Sequence, residues 1–249
     1  MKLYVQDVGF SYVGAPALEH VTFCAMPGEC TAVLGGNGAG KSTLLRCIDG
    51  ILRCRQGRIE ADGCPLDGMK PQKRARLIAY VPQEPQFPDG CTVFDAVLLG
   101  RTPYPEAQKE DLSLVDGILA KLNLHALAMR RVDRLSGGER QKVAVARALA
   151  QTPRILLFDE PTANLDLANQ LSVLGMIREL AREKQMTVLV SLHDLNLALR
   201  FADRFLLLRD RTVLAAGDAQ ALTPERIAAA YGVRVQFARV GGHTVVVPE

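Results

Sequence analysis

The chain has 249 residues, 48% of them hydrophobic, a length and apolar share that suit one large α/β domain or a core with a small insert. Its 30 basic and 27 acidic side chains leave a net charge of +3 and are mixed along the chain, which is too balanced for a nucleic-acid binder. No apolar run nears the roughly 18 residues that cross a bilayer, and the N-terminal stretch lacks a signal peptide's apolar segment, so the expectation is a cytosolic chain whose membrane work, if any, needs another polypeptide.

In chain order, residues 3–12 alternate (Leu3, Val5, then Val8, Phe10, Tyr12) and read as strand. Thr31-Ala32-Val33-Leu34 is a short buried strand running into a glycine-rich stretch, and a helix opens over 42–47. Residues 57–63, with Ile59 and Ala61 alternating, suggest an edge hairpin, and 77–81 another strand. Arg53, Arg55, Arg58, Lys70, Lys73, Arg74 and Arg76 make this region locally basic; it reads as a solvated face, with a docking or lipid-facing surface as the alternative. From 92 to 127 the pattern turns helical, with Val93, Ala96 and Val97 on one face and Leu114, Ile118, Leu119 and Leu122 on another. Pro103 and Pro105 punctuate the link. A helix over 140–149 follows a second small-residue turn. Then come a strand (154–158), a helix (170–182), a strand (187–191), a helix (194–201) and a strand (205–208). The chain closes with a helix over 224–231 and a β-like tail around Gly241-Gly242. Strands alternating with helices argue for a mostly parallel sheet. Cys24, Cys30, Cys47, Cys54, Cys64 and Cys91 show neither C-x-x-C nor zinc-finger spacing and read as thiols in a reducing compartment.

Three stretches carry the chemistry. Gly35-Gly36-Asn37-Gly38-Ala39-Gly40-Lys41-Ser42 is a complete Walker A loop, set between a predicted strand and a predicted helix as such a loop requires. Its glycines let backbone N–H groups close around a phosphate, Lys41 reaches the β/γ-phosphates, and Ser42 holds Mg²⁺. Leu135-Ser136-Gly137-Gly138-Glu139 is the second turn, and the helix it opens is also an anion site. One nucleotide needs one cradle. Two in one short chain suggest ATP clamped between surfaces, across two copies. Between them in role stands Ile155-Leu156-Leu157-Phe158-Asp159-Glu160, an apolar strand ending in two carboxylates, where α/β sheets place ligands. Asp159 is the candidate metal-holding Asp, and Glu160 is placed to orient or deprotonate water. Taken alone, that acid pair could cap a helix, Gln83 could be a surface amide, His193 a structural histidine and Tyr12 a core aromatic.

With these motifs in this order, the chain resembles the ABC-transporter ATPase family over essentially its whole length. The resemblance implies an α/β P-loop NTPase (RecA-like) core with a mostly parallel sheet, an antiparallel β subdomain and an inserted α-helical subdomain. It divides a single domain into 1–84 (nucleotide-binding core with the β subdomain), 85–135 (helical subdomain) and 136–249 (signature helix, remaining core and tail). It makes Tyr12 the adenine-stacking aromatic and Gly35, Gly36, Asn37, Gly38, Ala39, Gly40, Lys41, Ser42 and Thr43 the phosphate loop. It makes Gln83 the Q-loop residue sensing Mg²⁺ beside Ser42 and Asp159, and Ser136, Gly137, Gly138 and Glu139 the signature that meets the γ-phosphate in trans. Asp166 falls in the D-loop and His193 is the switch histidine, so Lys41, Gln83, Glu160 and His193 form the catalytic set. Two departures are mild: Gly36 stands where family members commonly have Pro, and Ala163-Asn164 where they have Ser-Ala.

A finer resemblance, to ATPases of ferric-siderophore, haem and cobalamin importers, rests on three places. These are Thr92-Val93-Phe94 with Leu99-Gly100-Arg101-Thr102-Pro103-Tyr104, then Leu192-His193-Asp194-Leu195-Asn196-Leu197-Ala198, then Leu222-Thr223-Pro224 with Tyr231-Gly232-Val233. It implies a metal-chelate importer ATPase using ATP and Mg²⁺, paired with a second copy in an ATP sandwich. It also implies docking on an integral-membrane permease dimer at the cytoplasmic face, with a substrate-binding protein as indirect partner and no nucleic acid. The alternatives are a molybdate or tungstate importer ATPase, and a soluble non-transport ABC ATPase such as an Fe–S assembly factor.

Overall fold

A computed structural model describes residues 1–105 and 108–249. The chain opens as an antiparallel ribbon of β1 (Leu3–Tyr12) and β2 (Ala15–Ala25). The alternation in β1 skips a step because the register with β2 shifts between Val5 and Val8 and again between Val8 and Phe10. A bulge adds a residue and returns the next apolar side chain to the buried face. The same shifts space the buried residues of β2 unevenly (Leu18, Val21, Phe23, Ala25), which hides this strand from a search for period two.

β3 (Cys30–Leu34) is buried at every residue and runs into the glycine loop and α1 (Lys41–Asp49). β4 (Gln56–Ala61) and β5 (Cys64–Pro65) complete a four-stranded antiparallel sheet in the order β2-β1-β4-β5. The hairpin expected over 57–63 is present, but β4 lies between β1 and β5, so the edge is the two-residue β5. α2 (Pro71–Ala75) and β6 (Ile78–Val81) follow, then α3 (Val93–Leu98) and α4 (Gln108–Lys121). The rest alternates: α5 (Gly137–Ala150), β7 (Ile155–Phe158), α6 (Leu167–Glu183), β8 (Thr187–Ser191), α7 (Leu195–Phe201), β9 (Arg204–Arg209) and β10 (Thr212–Gly217). α8 (Pro224–Tyr231) and a hairpin of β11 (Val235–Val240) with β12 (His243–Pro248) end the chain.

The main sheet runs β10-β9-β3-β8-β7-β6, parallel except for β10 at one edge. The α/β class and the mostly parallel sheet are therefore as the sequence implies. β10 escapes the sequence reading because a bulge between Val213 and Ala215 breaks its alternation. Period two sorts the strand residues onto two faces. Ala32, Leu34, Leu156, Phe158, Val188, Val190, Phe205 and Leu207 face a core shared with α3, α4, α5 and α6. Val33, Ile155, Leu157, Leu189, Leu206 and Leu208 face α1 and the antiparallel sheet. With both faces covered, these strands read as unbroken apolar runs. The register sets Val33 beside Ser191, Phe158 beside Val190 and Val81 beside Phe158, so the loops leaving β3, β6, β7 and β8 emerge side by side.

The helices over 93–121 are tied to the core by Gly100-Arg101-Thr102-Pro103-Tyr104. A Cβ on Gly100 would lie 2.2 Å from the Arg147 carbonyl oxygen, so this turn can rest on α5 only as glycine. The Arg101 side chain is 10% exposed; its Nε donates to Asp111 Oδ1 of α4 at 2.6 Å and its Nη1 to the Ala150 carbonyl at the end of α5 at 2.7 Å. The guanidinium sits 3.8 Å from the Tyr104 ring centre, and the Tyr104 hydroxyl donates to the Gln151 carbonyl. Arg101→Ala leaves the buried Asp111 carboxylate unpaired, and the expected loss is about 3–5 kcal/mol of unfolding free energy. Arg101→Lys recovers only part of it, because an ammonium lacks the planar fork. Urea titration of the three proteins checks this; an unchanged midpoint for Arg101→Ala would remove the clamp.

Candidate nucleotide site

The loop after β3 turns through left-handed backbone at Gly38 (φ 76°) and Gly40 (φ 101°). A Cβ on Gly40 would fall 2.7 Å from the Ala17 carbonyl oxygen, so the loop closes under β2 only with glycine there. It delivers the first turn of α1, whose unpaired N–H groups are an anion site. Lys41, 5% exposed, donates from Nζ to the carbonyls of Gly35 (2.9 Å) and Gly36 (3.2 Å). Burial pushes its pKa below the usual lysine value, while Glu160 and Asp159 pull the other way.

Asp159, which follows β7, is 2% exposed and hydrogen-bonded through both oxygens. Its Oδ1 accepts from Ser42 Oγ and from Ser191 Oγ, each at 2.9 Å, and its Oδ2 accepts from the Tyr80 hydroxyl at 2.9 Å. The Tyr80 oxygen in turn accepts from Arg46 Nε at 3.3 Å. Burial, with the neighbouring carboxylate, pushes the Tyr80 phenol up to about 12, against the pull of Arg46. Ser191 Oγ also accepts the Glu160 N–H at 2.8 Å. That bond helps hold Glu160 in left-handed backbone (φ 47°), an uncommon place for a non-glycine residue. Glu160 Oε1 lies 2.5 Å from His193 Nε2.

A cavity of about 310 Å³ is lined by Tyr12, Asn37, Gly38, Ala39, Gly40, Lys41, Ser42, Thr43, Glu160 and His193, with Pro16 and Ala17. Tyr12 is 45% exposed, packs edge-on against Phe10 and keeps its hydroxyl 3.4 Å from Thr43 Oγ1. The anticipated aromatic, loop, carboxylate and histidine thus share one cavity, with Asp159 behind Ser42.

The remaining candidates lie elsewhere. Gln83 lines a separate cleft of about 240 Å³ with Gly137, Arg140, Gln141, Ala163, Asn164 and Leu165. Ser136 and Glu139 form a capping box at the start of α5: Glu139 Oε2 accepts from the Ser136 N–H (2.8 Å) and hydroxyl (2.7 Å), and Ser136 Oγ accepts the Glu139 N–H. Those bonds hold the Glu139 carboxyl below its ordinary pKa. Asp166 caps α6, accepting the Asn169 N–H at 2.8 Å, and a Cβ on Gly138 would meet Asn169 Oδ1 at 2.5 Å. Sequence reasoning missed Tyr80, Ser191 and Arg46. Tyr80 and Ser191 stand at the ends of strands that it located, and that position is the available signal.

A strand, a glycine loop and a helix around Lys41, beside a strand ending in Asp159-Glu160, define a P-loop nucleoside triphosphatase. The model of the ABC transporter family matches residues 18–163, more than half the chain, and the chain belongs to that family as one of its ATPases. It is 44% identical to the hemin import ATP-binding protein HmuV of Deinococcus radiodurans over 94% of this chain and 91% of that protein. It superposes with a TM-score of 0.85 on a solved inward-facing structure assigned provisionally to the metal-chelate type of ABC transporter, at 34% identity, covering 99% of this chain and 97% of that one. A dimeric post-hydrolysis structure of an ATP-binding cassette bound to ADP and Pi matches with a TM-score of 0.78 at 28% identity, covering 87% and 98%.

Tyr80→Phe removes one donor from a buried carboxylate and should cost about 1–3 kcal/mol of stability. The pH sign follows from the raised phenol pKa: its contribution is complete below pH 10, the unfolded value, and is lost as pH rises through about 12. Unfolding titrations across that window should show a steeper alkaline loss in the wild type than in Tyr80→Phe. Equal slopes would remove Tyr80 from the network.

Proposed function

We propose that the chain is the ATP-hydrolysing subunit of an importer for a metal chelate of the iron-siderophore, haem or cobalamin kind. Its ATPase part is carried by the separation of the phosphate loop from the signature turn within the chain, which fits two half-sites of one ATP site. The phosphate loop, Glu160 and His193 share one cavity, while the signature turn opens on a different cleft. A second copy brings its signature turn over the first copy's loop and supplies N–H groups at the start of its α5 to the γ-phosphate.

Lys41 exchanges the Gly35 and Gly36 carbonyls for the β- and γ-phosphates. Tyr12 takes the adenine on its exposed face. Glu160 accepts a hydrogen bond from the attacking water and draws its proton, and His193, already on Glu160, holds that geometry and contacts the γ-phosphate. Ser42 and Asp159 offer a hydroxyl and a carboxylate side by side, hard oxygen donors of the kind Mg²⁺ selects, and would hold the ion; Gln83, the third residue that the resemblance assigns to it, lines the other cleft. When bound, the ion neutralises phosphate charge. Positioning and electrostatics carry the rest.

The importer reading draws on the names of the relatives and on an apolar groove. Among the described residues no helix is long and apolar enough to cross a membrane. A cavity of about 770 Å³ on the helical segment, lined by Pro88, Cys91, Leu98, Leu99, Tyr104 and Leu112 among others, is suited to a cytoplasmic helix of a permease dimer. In this reading residues 85–135 move as a helical subdomain against 1–84 and 136–249. A substrate-binding protein delivers the chelate to the permease from the far side of the membrane.

Glu160→Gln should bind ATP at near wild-type affinity, lose about 10²-fold or more in turnover, and elute as an ATP-dependent dimer. Wild-type hydrolysis by that variant would unseat Glu160. Extracted from native membranes with a tag on the same variant, the chain should bring down a polytopic permease in stoichiometric amount. A soluble assembly partner and no membrane protein would overturn the importer reading.

A further inference from the structure

The segment after β10 adds no side chain to the nucleotide cavity, yet it grips the site from behind at two points. The first is the phosphate loop. The Tyr231 hydroxyl, at the end of α8, accepts the N–H of Gly35 at 3.0 Å. A Cβ on Gly36 would come within 3.3 Å of the Ala230 carbonyl oxygen, so the last turn of α8 lies directly on the loop. Burial raises the Tyr231 phenol pKa, so it stays a neutral hydrogen-bonding group. The second point is the helix that follows His193. Asn196 Oδ1 accepts the Val246 N–H at 2.7 Å, and Asn196 Nδ2 donates to the Val246 carbonyl at 3.3 Å, so the amide pairs with β12 as a strand residue would. Ile227, Val235 and Val246 are buried in the same core as Leu34, which anchors the segment between the two grips.

Gly35 is also where Lys41 rests, through its carbonyl. Tyr231 and Lys41 therefore hold the N–H and the C=O of one residue. When Lys41 turns to phosphate it releases that carbonyl, and the Tyr231 bond is left to keep the start of the loop in place. We propose that Tyr231 is a positioning residue for the phosphate loop, and that the C-terminal tail carrying it couples the loop to the helix behind His193. The proposal rests on the reading of this cavity as the ATP site.

Removing the hydroxyl leaves a buried N–H unpaired before nucleotide arrives, and the loop must then be ordered by the nucleotide itself. Affinity falls by the fraction of molecules still pre-organised. The test uses the full chain, a fluorescent ATP analogue and a fluorescent ADP analogue, with thermal unfolding measured in parallel. Tyr231→Phe should weaken both nucleotides by the same factor, about fivefold for one neutral hydrogen bond, and raise KM by that factor with kcat within about twofold. Ile227→Ala, which thins the packing of α8 but keeps the hydroxyl, should lower Tm and leave both affinities unchanged. Lys41→Ala serves as the control for the site. If Lys41→Ala abolishes binding and Tyr231→Phe binds both nucleotides like wild type, whatever its Tm, the positioning role is overturned and the site stands. If Lys41→Ala binds like wild type, the site itself is wrong and the proposal falls with it.

Discussion

The geometry of the site depends on one buried carboxylate. Moving an unpaired carboxylate into a protein interior costs several kcal/mol, so Asp159 can sit at 2% exposure only because donors surround it. Those donors come from three other parts of the fold: Ser42 at the start of α1, Ser191 at the end of β8 and Tyr80 near the end of β6. Each bond therefore fixes one element relative to β7. The parallel register brings the strand ends together, but the carboxylate sets how the loops leave them. Ser191 shows the consequence most directly, since the same oxygen that donates to Asp159 accepts the N–H that holds Glu160 in left-handed backbone. The catalytic candidate is aimed by the group that satisfies its neighbour.

The same arrangement holds the glycine loop, Glu160 and His193 around one cavity, while the turn at Gly137 opens on another. The loop, the carboxylates and His193 follow the carboxyl ends of β3, β7 and β8, three inner strands of the sheet. The turn closes its own polar groups in the Ser136–Glu139 capping box, with Gly138 resting against Asn169 of α6. A turn complete in this way can be offered to another molecule without a folding penalty, and its helix N-terminus still presents free N–H groups.

Much of this was legible in the sequence, and the gaps have physical causes. The glycine loop, the apolar run into Asp159-Glu160 and the alternation of strands with helices depend on local chemistry and on period, which a sequence displays. β2 and β10 did not show because bulges break their period while preserving their buried faces. Tyr80, Ser191 and Tyr231 did not show as site residues because a strand residue or a C-terminal tyrosine gains its meaning from what stands across the sheet or beneath the loop. Gln83 and Asp166 were placed in the site by resemblance; in the single chain Gln83 lines the cleft beside Gly137 and Asp166 caps α6.

The same logic applies to the clamp at Gly100-Arg101. Arg101 reaches Asp111 on α4 and the Ala150 carbonyl at the end of α5 at once, and α5 begins at the signature turn. A cation at a helix C-terminus complements the negative end of the dipole, so the guanidinium stabilises α5 while binding α4 to it. The groove beside Leu99 and Leu112 thus adjoins a joint fixed to the end of the fourteen-residue helix that carries Ser136–Glu139 at its start. A buried arginine bonded to two helices at once, against a glycine that tolerates no Cβ, leaves little room for side-chain rearrangement, so this joint holds α4 to the end of α5.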